Sequence, residues 1–263
     1  MDRTYWHKQL ADKPLFPDLQ WSRPENKAHA GKLGIIGGNA FGFSAAAEAY
    51  GEALKAGVGA VRVLLPNSLQ KTVGKVFEAG EYAPSTPSGS FSQQALADML
   101  ELANWADALL LAGDFGHNSE TAIVLEKLIT DYHGQLGMCG DSIDYFMKRD
   151  SVALKRSKTL VIPNFSQLQK LAAQAGLAMA FTSSMGLVKF VEGLHQFTTE
   201  NSLHIVTSMD GSIVVAVNGQ VSTTKYQVEH SYSQLASYAA TWWLQNPSKS
   251  FEAISTAALQ LGG

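Results

Sequence analysis

The chain of 263 residues holds a single cysteine, Cys139. One thiol excludes an intramolecular disulfide and any cysteine-rich metal centre. Its place in an apolar, strand-like run predicts an inert core thiol. Charge is scarce as well: Asp, Glu, Lys and Arg make up 16% of the residues, against about a quarter in an ordinary globular chain. Extended surfaces are therefore expected to be shared with copies of the same chain, as in a homo-oligomer. A formal net charge of −3 gives no global attraction to nucleic acid or to acidic membranes, so neither is expected as a partner.

Long apolar runs are missing too. No stretch of about 18 apolar residues offers a membrane span, and residues 1–21 mix charge, aromatics and prolines where a signal peptide needs a continuous apolar segment. A cytoplasmic location is the expectation. Other absences narrow the chemistry. There is no Gly-x-Ser-x-Gly elbow, no phosphate-loop Lys-Ser/Thr pair and no dinucleotide fingerprint. His29, His117 and His230 lack ligand spacing, so no metal site is expected.

What is present is a regular alternation of strands and helices after an irregular arm. Residues 1–30 carry Pro14, Pro17 and Pro24 with weak periodicity, and are expected to wrap the domain or a neighbouring subunit. From Lys32 the pattern predicts strands at 33–38, 60–65, 108–112, 136–140 and 159–162. Helices are predicted at 44–55, at 67–77 with Asn67 as its cap, at 93–104 and at 118–133, and after each of the strands at 136–140 and 159–162. These strands are apolar along their whole length, which points to a parallel sheet covered on both faces. Residues 203–207, 212–217 and 220–224 read as further strands, the last two joined by Asn218-Gly219, a type I′ hairpin signal. Two helices, 232–245 and 251–261, close the chain. Trp242 and Trp243 fall in the first of them, where packing is the expected role. The expected fold is a single α/β domain, a mostly parallel doubly wound sheet with an antiparallel edge.

Three turns follow strands at the sheet edge where α/β proteins gather ligands. The first contains Gly37, Gly38, Asn39, Ser44 and Ala45. Small residues there let a ligand approach the backbone, and amides at a helix start favour anions such as phosphate; a tight turn needing positive φ is the other reading. The second contains Asp114 and Gly116. Asp114 suits a sugar hydroxyl or a metal, or simply a cap on its turn. The third contains Asn164, a ligand group or the N-cap of its helix.

These turns, in this order, resemble the ADP- or ATP-dependent NAD(P)H-hydrate dehydratases of the ribokinase-like superfamily. The stretch GKLGIIGGNAFGFSAAAEAYGEALKAGVGAVRVLLP carries the resemblance best, followed by ALLLAGDFGHNSET, MCGDSIDYF and TLVIPNFSQLQKL. The likeness runs over roughly residues 25–263. It implies a ribokinase-like three-layer sandwich, ADP or ATP with Mg2+ as cofactor, and hydrated NAD(P)H as substrate. It also implies a carbon-oxygen lyase reaction by way of phosphorylation at the substrate hydroxyl. A carboxylate must take the hydroxyl proton, and a helix N-terminus must stabilise the moving phosphoryl group.

The chain departs from that pattern where the chemistry is concentrated. The family's Gly-Thr/Ser-Gly-Asp motif falls on His230-Ser231-Tyr232-Ser233, so Ser233 stands at the position of the catalytic Asp. Glu229 and His230 are the nearby candidates for a displaced base, and Tyr232 brings bulk where phosphate should approach backbone. Thr207 and Ser208 replace a Lys-Gly pair, Asp114 replaces a glycine and Asn164 a histidine, while Ala45 and Asp141 match. The implied binding residues are Gly37, Gly38, Asn39, Ser44, Ala45, Asp114, Gly116, Asn164, Thr207, Ser208 and Tyr232. Three readings stay open: an enzyme with an unrecognised base, a non-catalytic relative that binds a nucleotide or dinucleotide, and an interaction protein with a vestigial cleft.

Overall fold

A computed structural model describes residues 4–147 and 156–262. In chain order the strands are β1 (Trp6–Gln9), β2 (Lys32–Gly37), β3 (Ala60–Pro66), β4 (Gly80–Ala83), β5 (Ala108–Gly113), β6 (Gln135–Cys139), β7 (Thr159–Ile162), β8 (Leu203–Met209), β9 (Ser212–Val217) and β10 (Gln220–Lys225). The helices are α1 (Pro17–Trp21), α2 (Ser44–Ala56), α3 (Gln70–Val73), α4 (Leu96–Trp105), α5 (Ser119–Asp131), α6 (Phe165–Gln174), α7 (Leu187–Glu200), α8 (Tyr232–Gln245) and α9 (Ser250–Gly262). Among the described residues, ten strands form one sheet in the order β1-β10-β9-β8-β7-β6-β5-β2-β3-β4. Strands β8 to β4 in that order run parallel, and β9 is antiparallel to both β8 and β10. The predicted mostly parallel sheet with an antiparallel edge is what forms.

Strand periodicity divides the core. On β2, Leu33 and Ile35 face the layer of α2, α8 and α9, while Ile36 faces α4, α5, α6 and α7. On β5, Leu109 and Leu111 join Ile36, and Ala108, Leu110 and Ala112 join Leu33. Both faces of each strand are thus covered, which is why these runs are apolar throughout rather than alternating. Alanines 46, 49 and 53 on α2 pack with Leu235, Ala236 and Ala239 on α8. Their small side chains bring the helices close, and Ser237 Oγ donates to Ala49 O at 3.1 Å. Trp242 and Trp243 are both buried, as their helical position predicted.

Several boundaries differ from expectation. The helix expected over 67–77 ends at Val73, and Asn67 does not cap it but accepts a hydrogen bond from Ser85 Oγ. The following strand β4 is a short edge strand that turn-rich surroundings concealed. Part of the helical pattern expected after β6 falls on 148–155, outside the described residues; before it the chain makes two 3-10 turns. The arm contributes β1, laid parallel on β10. Trp6 Nε1 donates to Thr223 Oγ1 at 3.1 Å, and Gln9 Nε2 to Thr224 Oγ1 at 3.0 Å. Two type I′ turns build the antiparallel edge: Asn218-Gly219 with φ of 48° and 78°, and Asp210-Gly211 with φ of 48° and 68°.

Candidate functional site

Beyond the carboxyl ends of β7 and β8 lies a cleft of about 690 Å³. From β7 and the start of α6 come Asn164 and Phe165; from β8 and its turn come Thr207, Ser208, Met209 and Asp210. Tyr226, Glu229, His230, Ser231 and Tyr232, on the segment between β10 and α8, form the facing wall, with Ser183 at the rim. Six residues singled out from the sequence therefore converge: Asn164, Thr207, Ser208, Glu229, His230 and Tyr232.

Each wall is held locally. Asn164 Oδ1 accepts from Gln167 N at 2.8 Å, and Gln167 Oε1 accepts from Asn164 N at 3.1 Å, a reciprocal capping box. Asn164 is thus the N-cap of α6 as well as a cleft residue. Buried Thr207 donates through Oγ1 to Pro163 O at 3.3 Å, tying β8 to the end of β7. Ser231 caps α8, its Oγ accepting from Gln234 N at 3.0 Å, and donates to Glu48 Oε1 at 2.8 Å. His230 Nδ1 pairs with Gln234 Oε1 at 3.0 Å, and the ring meets Tyr226 edge-on at 5.7 Å. Its Nε2 is buried and has no hydrogen-bond partner among the described residues. Partial desolvation raises the pKa of the exposed Tyr232 phenol, with the Glu229 carboxylate adding to the effect.

Ser233 is elsewhere. It is buried, its carbonyl accepts from Ser237 Oγ at 2.7 Å, and it does not line the cleft. The first turn of α8 carries no acidic residue.

The remaining candidates form a separate cluster at the ends of β2 and β5 and do not line the cleft. Glycine is required at Gly38, whose φ is +93°, and at Gly37, where a Cβ would lie 2.7 Å from Gly113 O. Asn39 Nδ2 donates to Asp114 O at 2.6 Å and its Oδ1 accepts from Phe41 N at 2.7 Å. Asp114 Oδ2 accepts from Ala45 N at 2.8 Å and from Ser44 Oγ at 3.2 Å. The amide expected to meet phosphate is therefore taken by a carboxylate of the chain itself, and a helix start that attracts anions has an internal one. Asp141 accepts from Gly116 N at 2.9 Å and Phe115 N at 3.2 Å. Burial raises its pKa, and those amides pull it back.

Among the described residues, no group of three or more His, Cys, Asp or Glu side chains is placed to hold a metal ion. Among the described residues, no helix is long and apolar enough to cross a membrane either. The cleft residues missed in the sequence are Ser183, Met209, Asp210 and Tyr226, together with Glu48 behind Ser231, whereas Phe165 and Ser231 lie within stretches the sequence singled out. Asp210-Gly211 is the same turn signal as Asn218-Gly219, so Asp210 had a local signature. The Glu48–Ser231 pair had none.

No protein-family model matches the chain, and a search of curated proteins finds no match. Solved structures do match in shape. A ribokinase-like superfamily protein from Enterococcus faecalis V583 superposes with a TM-score of 0.73 at 15% identity, over 100% of this chain and 88% of that one. The ADP/ATP-dependent NAD(P)H-hydrate dehydratase of Bacillus subtilis, co-crystallised with ATP and Mg2+, gives 0.64 at 12% identity, over 95% and 87%. Phosphomethylpyrimidine kinase from Clostridium difficile 630 gives 0.52 at 8%, over 87% and 98%. At these identities the likeness is one of architecture, and this chain has the ribokinase-like fold.

Proposed function

We propose that this protein is a divergent relative of the NAD(P)H-hydrate dehydratases that binds a nucleotide or dinucleotide in the cleft and does not carry out phosphoryl transfer. The observation that carries the reading is the start of α8. It opens on the cleft through Ser231 and Tyr232, yet its first turn has no carboxylate and Ser233 lies buried behind it. A serine hydroxyl is not ionised near neutral pH, so no base stands where the reaction needs one.

Binding has a physical basis independent of catalysis. A cleft of this size suits a small ligand, and a few convergent polar groups beside aromatic walls are what orients one. The phenol ring of Tyr226 and the exposed ring of Tyr232 offer π faces to a base. Among the described residues the lining has no lysine or arginine. The phosphates of ATP with Mg2+ therefore meet no lysine or arginine among the described lining residues.

One observation favours a second reading, a small-molecule kinase with a displaced base. Glu48 is a carboxylate beside the start of α8, 2.8 Å from Ser231 Oγ. In that case the groups to test are Glu48 and, on the cleft wall, Glu229 and His230.

Thermal shift with AMP, ADP, ATP, NADH, NADPH and hydrated NADPH tests the binding reading, since a ligand of the native state raises the melting temperature. At least one of them is expected to do so, and Tyr226→Ala with Tyr232→Ala to abolish the rise. No shift with any of the six contradicts the proposal.

A further inference from the structure

We propose that the cleft recognises the nucleoside part of its ligand and selects against phosphate, so that a nucleoside binds more tightly than its own polyphosphate. The inference rests on the cleft being a nucleotide or dinucleotide site, and assigns which part of such a ligand is gripped.

The chemistry of the lining sets the preference. Ionised carboxylates only accept hydrogen bonds, and so do the oxygens of a phosphate. Asp210 and Glu229 both line the cleft, and each repels a phosphate while accepting from a ribose hydroxyl or an exocyclic amine. Thr207, Ser208 and Asn164 add side chains able to meet sugar hydroxyls. No lysine or arginine among the described lining residues offsets the acidic pair.

Backbone donors at the two helix starts are partly used up as well. Gln167 N, in the first turn of α6, goes to Asn164 Oδ1 at 2.8 Å, and Gln234 N, in the first turn of α8, goes to Ser231 Oγ at 3.0 Å. Glu48, on the far side of Ser231 at 2.8 Å, places a third carboxylate against the positive end of α8. A helix N-terminus that would draw a phosphate thus already has a carboxylate beside it.

Calorimetry on the full chain tests this in two steps. Adenosine, guanosine, cytidine and uridine are titrated first, and then the mono-, di- and triphosphates of the tightest binder, with and without Mg2+. Affinity is expected to fall with each added phosphate, leaving the triphosphate about tenfold weaker than the nucleoside. Asp210→Asn and Glu229→Gln are each expected to narrow that gap about two- to fivefold, the size of a partly exposed charge interaction. Asparagine tolerates the left-handed turn at position 210, so that variant keeps its fold. A triphosphate that binds as tightly as its nucleoside or more so, in either condition, overturns the inference and leaves the nucleotide-binding reading standing. If no nucleoside binds, and neither its phosphates nor NADH nor NADPH does, both fall.

Discussion

Ser231 Oγ on the lip of α8 donates to Glu48 Oε1 on α2 at 2.8 Å, joining residues 183 positions apart. The same oxygen caps α8 by accepting from Gln234 N. One hydroxyl therefore fixes the start of the helix that faces the cleft and ties it to the helix that follows the glycine turn. At the other end of that connection, Asp114 caps α2. The two candidate clusters are linked through the first two turns of α2.

The Ser231 cap is testable by stability. Ser231→Ala is expected to cost about 1 kcal/mol, the usual worth of such a cap. In a chain of this size that lowers the melting temperature by about 2 °C. Glu48→Gln keeps an acceptor and is expected to cost less. A Ser231→Ala protein as stable as the parent contradicts the capping role.

Asp114 makes a sharper prediction, because its backbone sits at φ 59° while its carboxylate holds Ala45 N. Asp114→Ala loses the cap and keeps the left-handed strain, for about 2–3 kcal/mol. Asp114→Gly loses the cap and relieves the strain, and should be about 1 kcal/mol less damaging. Urea unfolding is expected to rank parent, Asp114→Gly, Asp114→Ala. The reverse order of the two variants would exclude backbone strain at this site.

His204 supplies a pH dependence. Burial pushes its pKa down to about 4, its Nδ1 has no partner among the described residues, and the ring meets Trp243 at 4.9 Å. An unfolded histidine titrates at about 6.5. Between those values the unfolded chain holds more protons, so stability contributed by the neutral ring is complete above about pH 6.5 and is lost as pH falls to about 4. The loss amounts to about 3 kcal/mol. His204→Leu should flatten this part of the stability profile. An unchanged slope in the variant assigns the dependence to other groups.

Cys139 is fully buried, and burial pushes its thiol pKa up. Thiolate is the reactive form. The native protein should resist alkylation by iodoacetamide at pH 8 and label promptly in denaturant, as mass spectrometry reads directly. Rapid labelling of the folded protein contradicts this placement.

The central sheet was legible because burial on both faces demands apolar runs, as at Leu109, Leu110 and Leu111, and because Asn218-Gly219 is a local turn code. The edges were not. β1 is half exposed and pairs with a strand more than 200 residues away, so its sequence carries little of the burial that places it. At the site, residues near strand ends were found through their neighbours along the chain. Asp210 entered the cleft by a type I′ turn whose Asp-Gly code matches that of the predicted hairpin. Glu48 reaches Ser231 only through packing of two alanine-rich helices, which no local pattern encodes. The glycine turn allowed a ligand site or a tight turn needing positive φ; Gly38 adopts φ +93°, and Asp114 accepts from Ala45 N at the helix start.

The most direct test of a binding cleft without catalysis is a single-turnover assay. Excess protein is mixed with hydrated NADPH and either ATP or ADP in the presence of Mg2+, and recovery of NADPH absorbance is followed. The expected result is no recovery by a protein that shows saturable binding under the same conditions. Recovery of NADPH contradicts the reading, and its loss in Glu48→Gln would identify the displaced base.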